Sequence, residues 1–165
     1  MTGPAGVRAL DVEVRRVRID DPLAEPLVRE LTEEYVRRYG PEAHQEMTRY
    51  PADSWAEPHG GVLLLLLEDG EPVAGGAYKR LDARTAEVKR MWTHSAHRRR
   101  GLATRVLAEL ERAAGAAGYH RIFLTTGPLQ PEAKGLYLVN GYTPLFDVAA
   151  DPLTIGPLPF EKHLH

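Results

Sequence analysis

The stretch Gly61-Val62-Leu63-Leu64-Leu65-Leu66-Leu67, followed at once by Glu68-Asp69-Gly70-Glu71, constrains the fold more than any other part of the chain. An unbroken apolar run of this length is a strand buried in a sheet, and it is far short of the roughly 20 residues that cross a bilayer. Asp-Gly favours tight hairpin geometry, so a second strand, Pro72 to Lys79, must return beside the first. Gly75-Gly76 within it signals a bulge or a close backbone approach. A third run, Thr85 to Thr93, sets Ala86, Val88, Arg90 and Trp92 against Glu87, Lys89, Met91 and Thr93. It completes an antiparallel meander whose two faces are chemically mixed.

The flanking segments supply the remaining layers. Residues 1–9, with Thr2-Gly3-Pro4-Ala5-Gly6, read as a flexible leader, after which Leu10, Val12 and Val14 alternate with Asp11, Glu13 and Arg15 as a half-buried strand does. Asp20-Asp21-Pro22 supplies an N-cap with an early proline, and Leu23, Leu27, Leu31 and Tyr35 recur at helical spacing up to a stop at Gly40-Pro41. Glu42 to His59 has little period and is read as a loop or short second helix, of a kind that lines sites. Leu102, Val106, Leu107, Leu110, Ala113, Ala114 and Ala117 mark a helix of about four turns, with Gly118 at its C-terminal cap. A strand at Arg121 to Thr126, a helix from Pro131 to Gly141 and strands at Tyr142 to Val148 and Leu158 to Leu164 finish the chain. The order β-α-α-β-β-β-α-β-α-β-β predicts one α/β (α+β) domain over residues 10–165.

Composition narrows the function. With 165 residues, 43% hydrophobic and 27% charged, the chain fits one globular domain with a sizeable core. It has no cysteine, which excludes disulfides, thiolate metal sites and a cysteine nucleophile and suits a reducing compartment, so cytoplasm is the expected location. A net charge of −2 is not the balance of a nucleic-acid-binding domain, which is normally basic overall. No export signal or membrane span is read in the sequence.

Chemistry concentrates at Arg98-Arg99-Arg100-Gly101-Leu102-Ala103, between a strand ending near His94 and a helix beginning near Leu102. A loop entering a helix presents unpaired amides and about half a positive charge, which together make an anion site. Gly101 removes bulk and the arginines add bidentate donors, so a diphosphate can approach the main chain closely. The plainer alternative is a solvated basic turn.

Arg-x-x-Gly-x-Ala after a strand reading Ala-Glu-Val-Lys-Arg-Met-Trp-Thr resembles the acyl-CoA motif of the GNAT superfamily of N-acetyltransferases. Ala133, Leu136, Tyr137 and Gly141-Tyr142 resemble its second signature, in the expected order. The resemblance covers Thr85 to Tyr142 closely, and the element order extends it over most of Leu10 to Leu164. It implies a mixed, mostly antiparallel sheet of about seven strands flanked by about four helices, with the strand of Met91 diverging from that of Phe123 to open a slot for a thioester. It further implies that Arg98, Arg99, Arg100, Gly101, Leu102, Ala103 and Thr104 hold the pyrophosphate of coenzyme A. The backbone around Met91, Trp92 and Thr93 would pair with the pantetheine arm, as an added strand pairs with a sheet edge.

By the same resemblance Tyr137 is the general acid that protonates the departing thiolate, its alternative being a core aromatic. Glu87 stands where some relatives place a base, its alternative being a cross-strand ion pair with Arg84, Lys89 or Arg90 nearby. The chain lacks the asparagine often found before Ala133, and Gln130 is the candidate replacement contact. For the acceptor, family architecture points to the first two helices and the late strands, hence Tyr35, Tyr39, Trp55, His59, Tyr78 and the loop around Asp147 and Asp151. Acidic side chains there would favour a cationic amine.

His94 and His97, with His59, lack an acid at ligand spacing, so no metal site is expected. Lys134-Gly135 lacks the order a phosphate-binding loop needs, and Ser54 and Ser95 sit in no nucleophile elbow. The expected function is acetyl transfer from acetyl-CoA to a primary amine, small-molecule or peptide, by direct attack in a ternary complex. The alternative is a non-catalytic acyl-CoA sensor or interaction module on the same fold. Neither nucleic acid nor membrane is expected as a partner, and a homodimer through an exposed C-terminal strand remains open.

Overall fold

At the Asp69-Gly70 turn both residues have positive φ, 53° and 82°, the pairing a two-residue type I′ hairpin needs. It joins β2 (Val62–Glu68) to β3 (Glu71–Asp82), and β4 (Thr85–Thr93) completes the meander. The computed structural model describes residues 11–164, so the expected leader and Leu10 lie outside the described residues. The other strands are β1 (Glu13–Arg16), β5 (Arg121–Thr126), β6 (Thr143–Pro144) and β7 (Leu158–His163). All seven form one sheet in the order β1-β2-β3-β4-β5-β7-β6, antiparallel except between β4 and β5.

The leucine run divides between two cores. Val62, Leu64 and Leu66 pack with α2 (Leu102–Ala116), whose Val106, Leu107 and Leu110 are buried, while Leu63, Leu65 and Leu67 pack with α1 (Glu25–Tyr39) through Leu27 and Leu31. Each buried leucine contributes roughly 1.5–3 kcal/mol relative to exposure, so β2 anchors both layers. Asp21 caps a 3₁₀ turn at Pro22–Ala24 that leads into α1, and α1 stops at Gly40, where φ reaches 99° and the amide donates to the Val36 carbonyl. The third helix, α3 (Pro131–Val139), opens on the predicted proline.

The sequence reading of Gly75-Gly76 is resolved at β4. Gly75 pairs with Trp92 and Ala77 with Lys89, so Gly76 faces two residues, Arg90 and Met91. A Cβ on Gly76 would lie 2.8 Å from Met91 Sδ and 2.9 Å from Val106 Cγ1. Arg90 takes up the extra residue at φ 63°, a left-handed conformation uncommon for a side-chain-bearing residue. The bulge breaks the expected alternation: Ala86, Val88 and Met91 pack on the α2 side, but Trp92 turns to the α1 side.

The expected short second helix is an eight-residue 3₁₀ segment, Pro41–Thr48, held by i, i+3 bonds. Two other expectations change. The strand expected at Tyr142 to Val148 shortens to Thr143–Pro144, and Pro144 blunts this outer edge, leaving little strand for a partner to extend. β1 is solvent-facing, with Val14 37% exposed, because an outer strand covered by no helix needs no apolar face.

Candidate active site

β4 and β5 pair only from Thr85–Arg121 to Glu87–Phe123, although β4 continues to Thr93 and β5 to Thr126. Beyond that point the strands part and each loses its partner on the facing edge. The opening is a cleft of about 380 Å³, walled by Val88 to Met91, by Thr125 to Gly127, by Gln130, Ala133 and Tyr137, and on the α1 side by Tyr35, Tyr39, Ala43, Glu46 and Arg49. Backbone donors and acceptors on a parted strand edge require partners, which an amide-bearing ligand can supply.

The loop following β4 is anchored before it enters α2. Glu30 of α1 accepts from Trp92 Nε1 at 2.9 Å, from the Ser95 amide at 3.1 Å and from Ser95 Oγ at 2.8 Å, fixing the loop to the helix. Burial alone would raise the Glu30 carboxyl, but these hydrogen bonds outweigh it and hold it below its usual range. Gly101 is the N-cap of α2 at φ 75°, with no side-chain cap on the helix amides and nothing within 4 Å of where a Cβ would stand. The amides of the first turn therefore have no side-chain cap.

The arginines of this loop divide. Arg98 and Arg99 are exposed and have no ion-pair partner among the described residues. Arg100 instead donates to the Glu68 carboxylate and, at 2.8 Å, to His97 Nδ1, so its guanidinium is engaged before any ligand arrives. Leu102 is a core residue whose contribution is its backbone, and Thr104 Oγ1 accepts from Asn140 Nδ2 at 3.3 Å. Trp92 likewise offers backbone only, its indole being packed toward α1 and bound to Glu30.

Tyr137 sits on α3 at 5% exposure, between Tyr142 and Phe160 with ring centroids 5.7 and 5.6 Å away, and it lines the cleft. It is thus both core aromatic and cleft residue. Burial pushes its phenol above the usual value near 10, with Tyr35 adding to the rise, and its hydroxyl has no hydrogen-bond partner among the described residues. Tyr142 is pinned by its hydroxyl donating to Glu111 of α2 at 2.8 Å, which ties the end of α3 to α2. Gln130 accepts from the Gly127 amide at 3.2 Å and from the Tyr39 hydroxyl at 3.3 Å, so this side chain braces the β5–α3 loop while lining the cleft.

Several expected site residues lie elsewhere. Glu87 is absent from the cleft wall, and its carboxylate is held by Lys79 at 3.3 Å and Lys89 at 3.9 Å, the cross-strand ion pair named as its alternative. Trp55 is buried in the α1-side core, where Tyr50 packs edge-on to it. His59 and Tyr78 line a separate groove with Arg16, Arg80 and Tyr119. Asp147 and Asp151 cap local turns by accepting from the Ala149 and Leu153 amides. Of the acceptor candidates, Tyr35 and Tyr39 reach the cleft.

Sequence reasoning missed Glu46, Arg49, Lys89 and Arg90. The Glu42 to His59 segment was marked as site-lining, but without helical period nothing singled out Glu46 and Arg49. The positive φ that turns Arg90 into the cleft has no signature of its own. Among the described residues no group of three His, Asp or Glu is placed to hold a metal ion, and no helix is long and apolar enough to cross a membrane.

The profile of the Acetyltransferase (GNAT) family matches residues 27–142, which run from α1 through both motifs to Tyr142. The chain belongs to the GNAT acetyltransferase family. It is 37% identical over 93 residues to the uncharacterized N-acetyltransferase YsnE of Bacillus subtilis (strain 168), covering 53% of this chain and 62% of that protein's length. The fold matches a putative acyl-CoA N-acyltransferase from Klebsiella pneumoniae at TM-score 0.71 and 24% identity, covering 93% of this chain and 98% of that one. It also matches, at TM-score 0.71 and 17% identity, the paia N-acetyltransferase from Thermoplasma acidophilum in complex with coenzyme A, covering 92% and 98%.

Proposed function

We propose that the chain transfers an acetyl group from acetyl-CoA to a primary amine within a ternary complex. The observation that carries this reading is the placement of Tyr137, buried, protonated and without a hydrogen-bond partner among the described residues, in the cleft where β4 and β5 part. The α2 amides from Leu102 to Thr104, with Arg98 and Arg99, would hold the pyrophosphate, and the free edge of β4 around Met91 to Thr93 would pair with the pantetheine amides. Arg100 would act by ordering the loop through Glu68.

In the reaction the amine nitrogen bonds to the thioester carbonyl carbon, the C–S bond breaks, the thiolate takes the proton of the Tyr137 hydroxyl, and the proton that the nitrogen sheds as the amide forms restores the phenol. The raised pKa of Tyr137 keeps its phenol protonated at neutral pH, so the proton is present when the thiolate leaves. The incoming ammonium must first lose a proton. Glu87 does not line the cleft and is engaged by Lys79 and Lys89, so this proton leaves through solvent at the cleft mouth and not directly to Glu87. The chain has no cysteine to carry a covalent acetyl group, and positioning supplies most of the rate.

Release of CoA from acetyl-CoA, followed across a panel of primary amines, tests the reading. Turnover with at least one amine, lowered about 100-fold or more in Tyr137→Phe, is the expected result. Saturable acetyl-CoA binding with no turnover on any amine would replace it with the acyl-CoA sensor.

A further inference from the structure

The charged residues walling the cleft are Glu46, Arg49, Lys89 and Arg90, so three cations share one carboxylate. Glu46 is 3.5 Å from Arg90, 3.6 Å from Lys89 and 3.6 Å from Arg49. Lys89 also reaches Glu87, but Glu87 is already closer to Lys79.

Arg90 is the least satisfied of the group. Its side chain is 1% exposed, with the guanidinium carbon 5.0 Å from the Trp55 ring centroid. One terminal nitrogen donates to the Glu46 carbonyl at 2.8 Å, and Nε is buried with no partner. A buried guanidinium with an orphaned donor and a third share of a carboxylate is costly unless a further anion completes it. The β4 bulge directs this side chain to the α1 wall, away from the Met91 and α2 side on which the anion loop opens.

We propose that the acceptor is a small amine that also carries a carboxylate, an amino acid in chemical class, whose carboxylate is held by Arg49, Lys89 and Arg90. This rests on the acetyl-transfer reading above and names the substrate class of that site. It reverses the expectation that acidic residues select a cationic amine. The surplus positive charge would repel polycations and lower the pKa of a bound ammonium, easing the proton loss that must precede attack. A cleft of about 380 Å³ suits a molecule of this size.

The test compares the twenty amino acids with their carboxamides as acceptors. Amides are close in shape, lack the negative charge, and have the less basic and more readily deprotonated amine, so intrinsic reactivity works against the proposal. The expected result is a kcat/KM at least tenfold higher for the preferred acid than for its amide. Arg49 is 63% exposed, so Arg49→Gln should fold normally, and it should shrink that ratio severalfold while leaving acetyl-CoA affinity intact. A ratio of one or below, or an Arg49→Gln variant that loses acetyl-CoA affinity at an unchanged ratio, overturns the proposal.

Calorimetry of the same acids and amides on CoA-saturated protein separates the two readings. If no acceptor is turned over, acetyl transfer fails, and preferential binding of acids still supports the anion pocket. Equal binding of both, or of neither, removes it.

Discussion

Two depressions of the molecule differ in character, and the larger of the pair is the less reactive. The groove walled by Arg16, Glu57, His59, Tyr78, Arg80 and Tyr119 measures about 530 Å³, against about 380 Å³ for the cleft between β4 and β5. In the groove the charged groups answer their neighbours: Arg16 pairs with Glu57 at 2.5 Å, and the Tyr119 hydroxyl donates to the Gly60 carbonyl at 2.6 Å while accepting from Arg80 Nε at 3.3 Å. Its strands are fully laddered, with Val62 opposite Tyr78. In the cleft the ladder has ended, Arg90 Nε has no partner, and the Tyr137 hydroxyl has none among the described residues. Volume does not distinguish the two; the parted ladder and the buried, unpartnered Arg90 Nε do.

The largest effect that would break this contrast is at the two tyrosines. Tyr137→Phe should lower kcat about 100-fold with acetyl-CoA affinity retained in calorimetry. Tyr119→Phe should leave kcat alone and cost about 1 kcal/mol of stability, through the lost bond to Gly60. Equal kinetic effects would erase the distinction. Next in size, Gly101→Glu should weaken acetyl-CoA binding by more than tenfold, since charge and bulk enter the space the helix amides face. Gly101→Ala carries the same left-handed backbone cost, roughly 1 kcal/mol, without the charge, so equal affinities in the two variants would count against an anion site.

Smaller again, Gly76→Val should destabilise by about 1–3 kcal/mol in denaturant titration, because its side chain would press on Met91 and Val106 behind the bulge. Cleft and groove share one alkaline limit. Burial is the leading cause that raises Tyr35, Tyr137 and Tyr142 above the ordinary value near 10 and pushes Tyr78 up to about 12. Unfolded phenols ionise first, so above pH about 10 the unfolded chain binds fewer protons than the native one and unfolding free energy falls as pH rises. Melting temperature measured from pH 8 to 11 should be flat and then decline, and a flat profile throughout would contradict these burial assignments. His59→Ala, in an exposed part of the groove, should change turnover least of all.

The fold was legible because its signals are local and strong. Val62 to Leu67 with Asp69-Gly70 specifies a hairpin, Leu27 and Leu31 give α1 its inward stripe, and Pro131 and Gly141 bracket α3. The motif residues Gly101 and Tyr137 were legible for the same reason, each being tied to a strand-loop-helix or helix-strand step. The rest depended on distant contacts. Trp55 looks like a site aromatic in a proline-rich segment, yet α1 and β2 close over it. Glu87 looks like a base until Lys79, on the neighbouring strand, is brought opposite it. Arg90 enters the cleft only because Gly76, one strand away, forces a bulge that no pattern in Thr85 to Thr93 announces.

The most direct test of the central claim, that the parted strands and the Gly101-capped helix form an acyl-CoA site, is a thermal-shift titration with acetyl-CoA. It requires no knowledge of the acceptor. At about 100 times Kd, binding stabilises the fold by roughly 2.7 kcal/mol, which for a domain of this size raises the melting temperature by about 5 to 10 °C. The account predicts a saturable rise of that order in the wild-type protein, lost in Gly101→Glu. No shift at millimolar acetyl-CoA in folded protein, or an equal shift in both proteins, would contradict it.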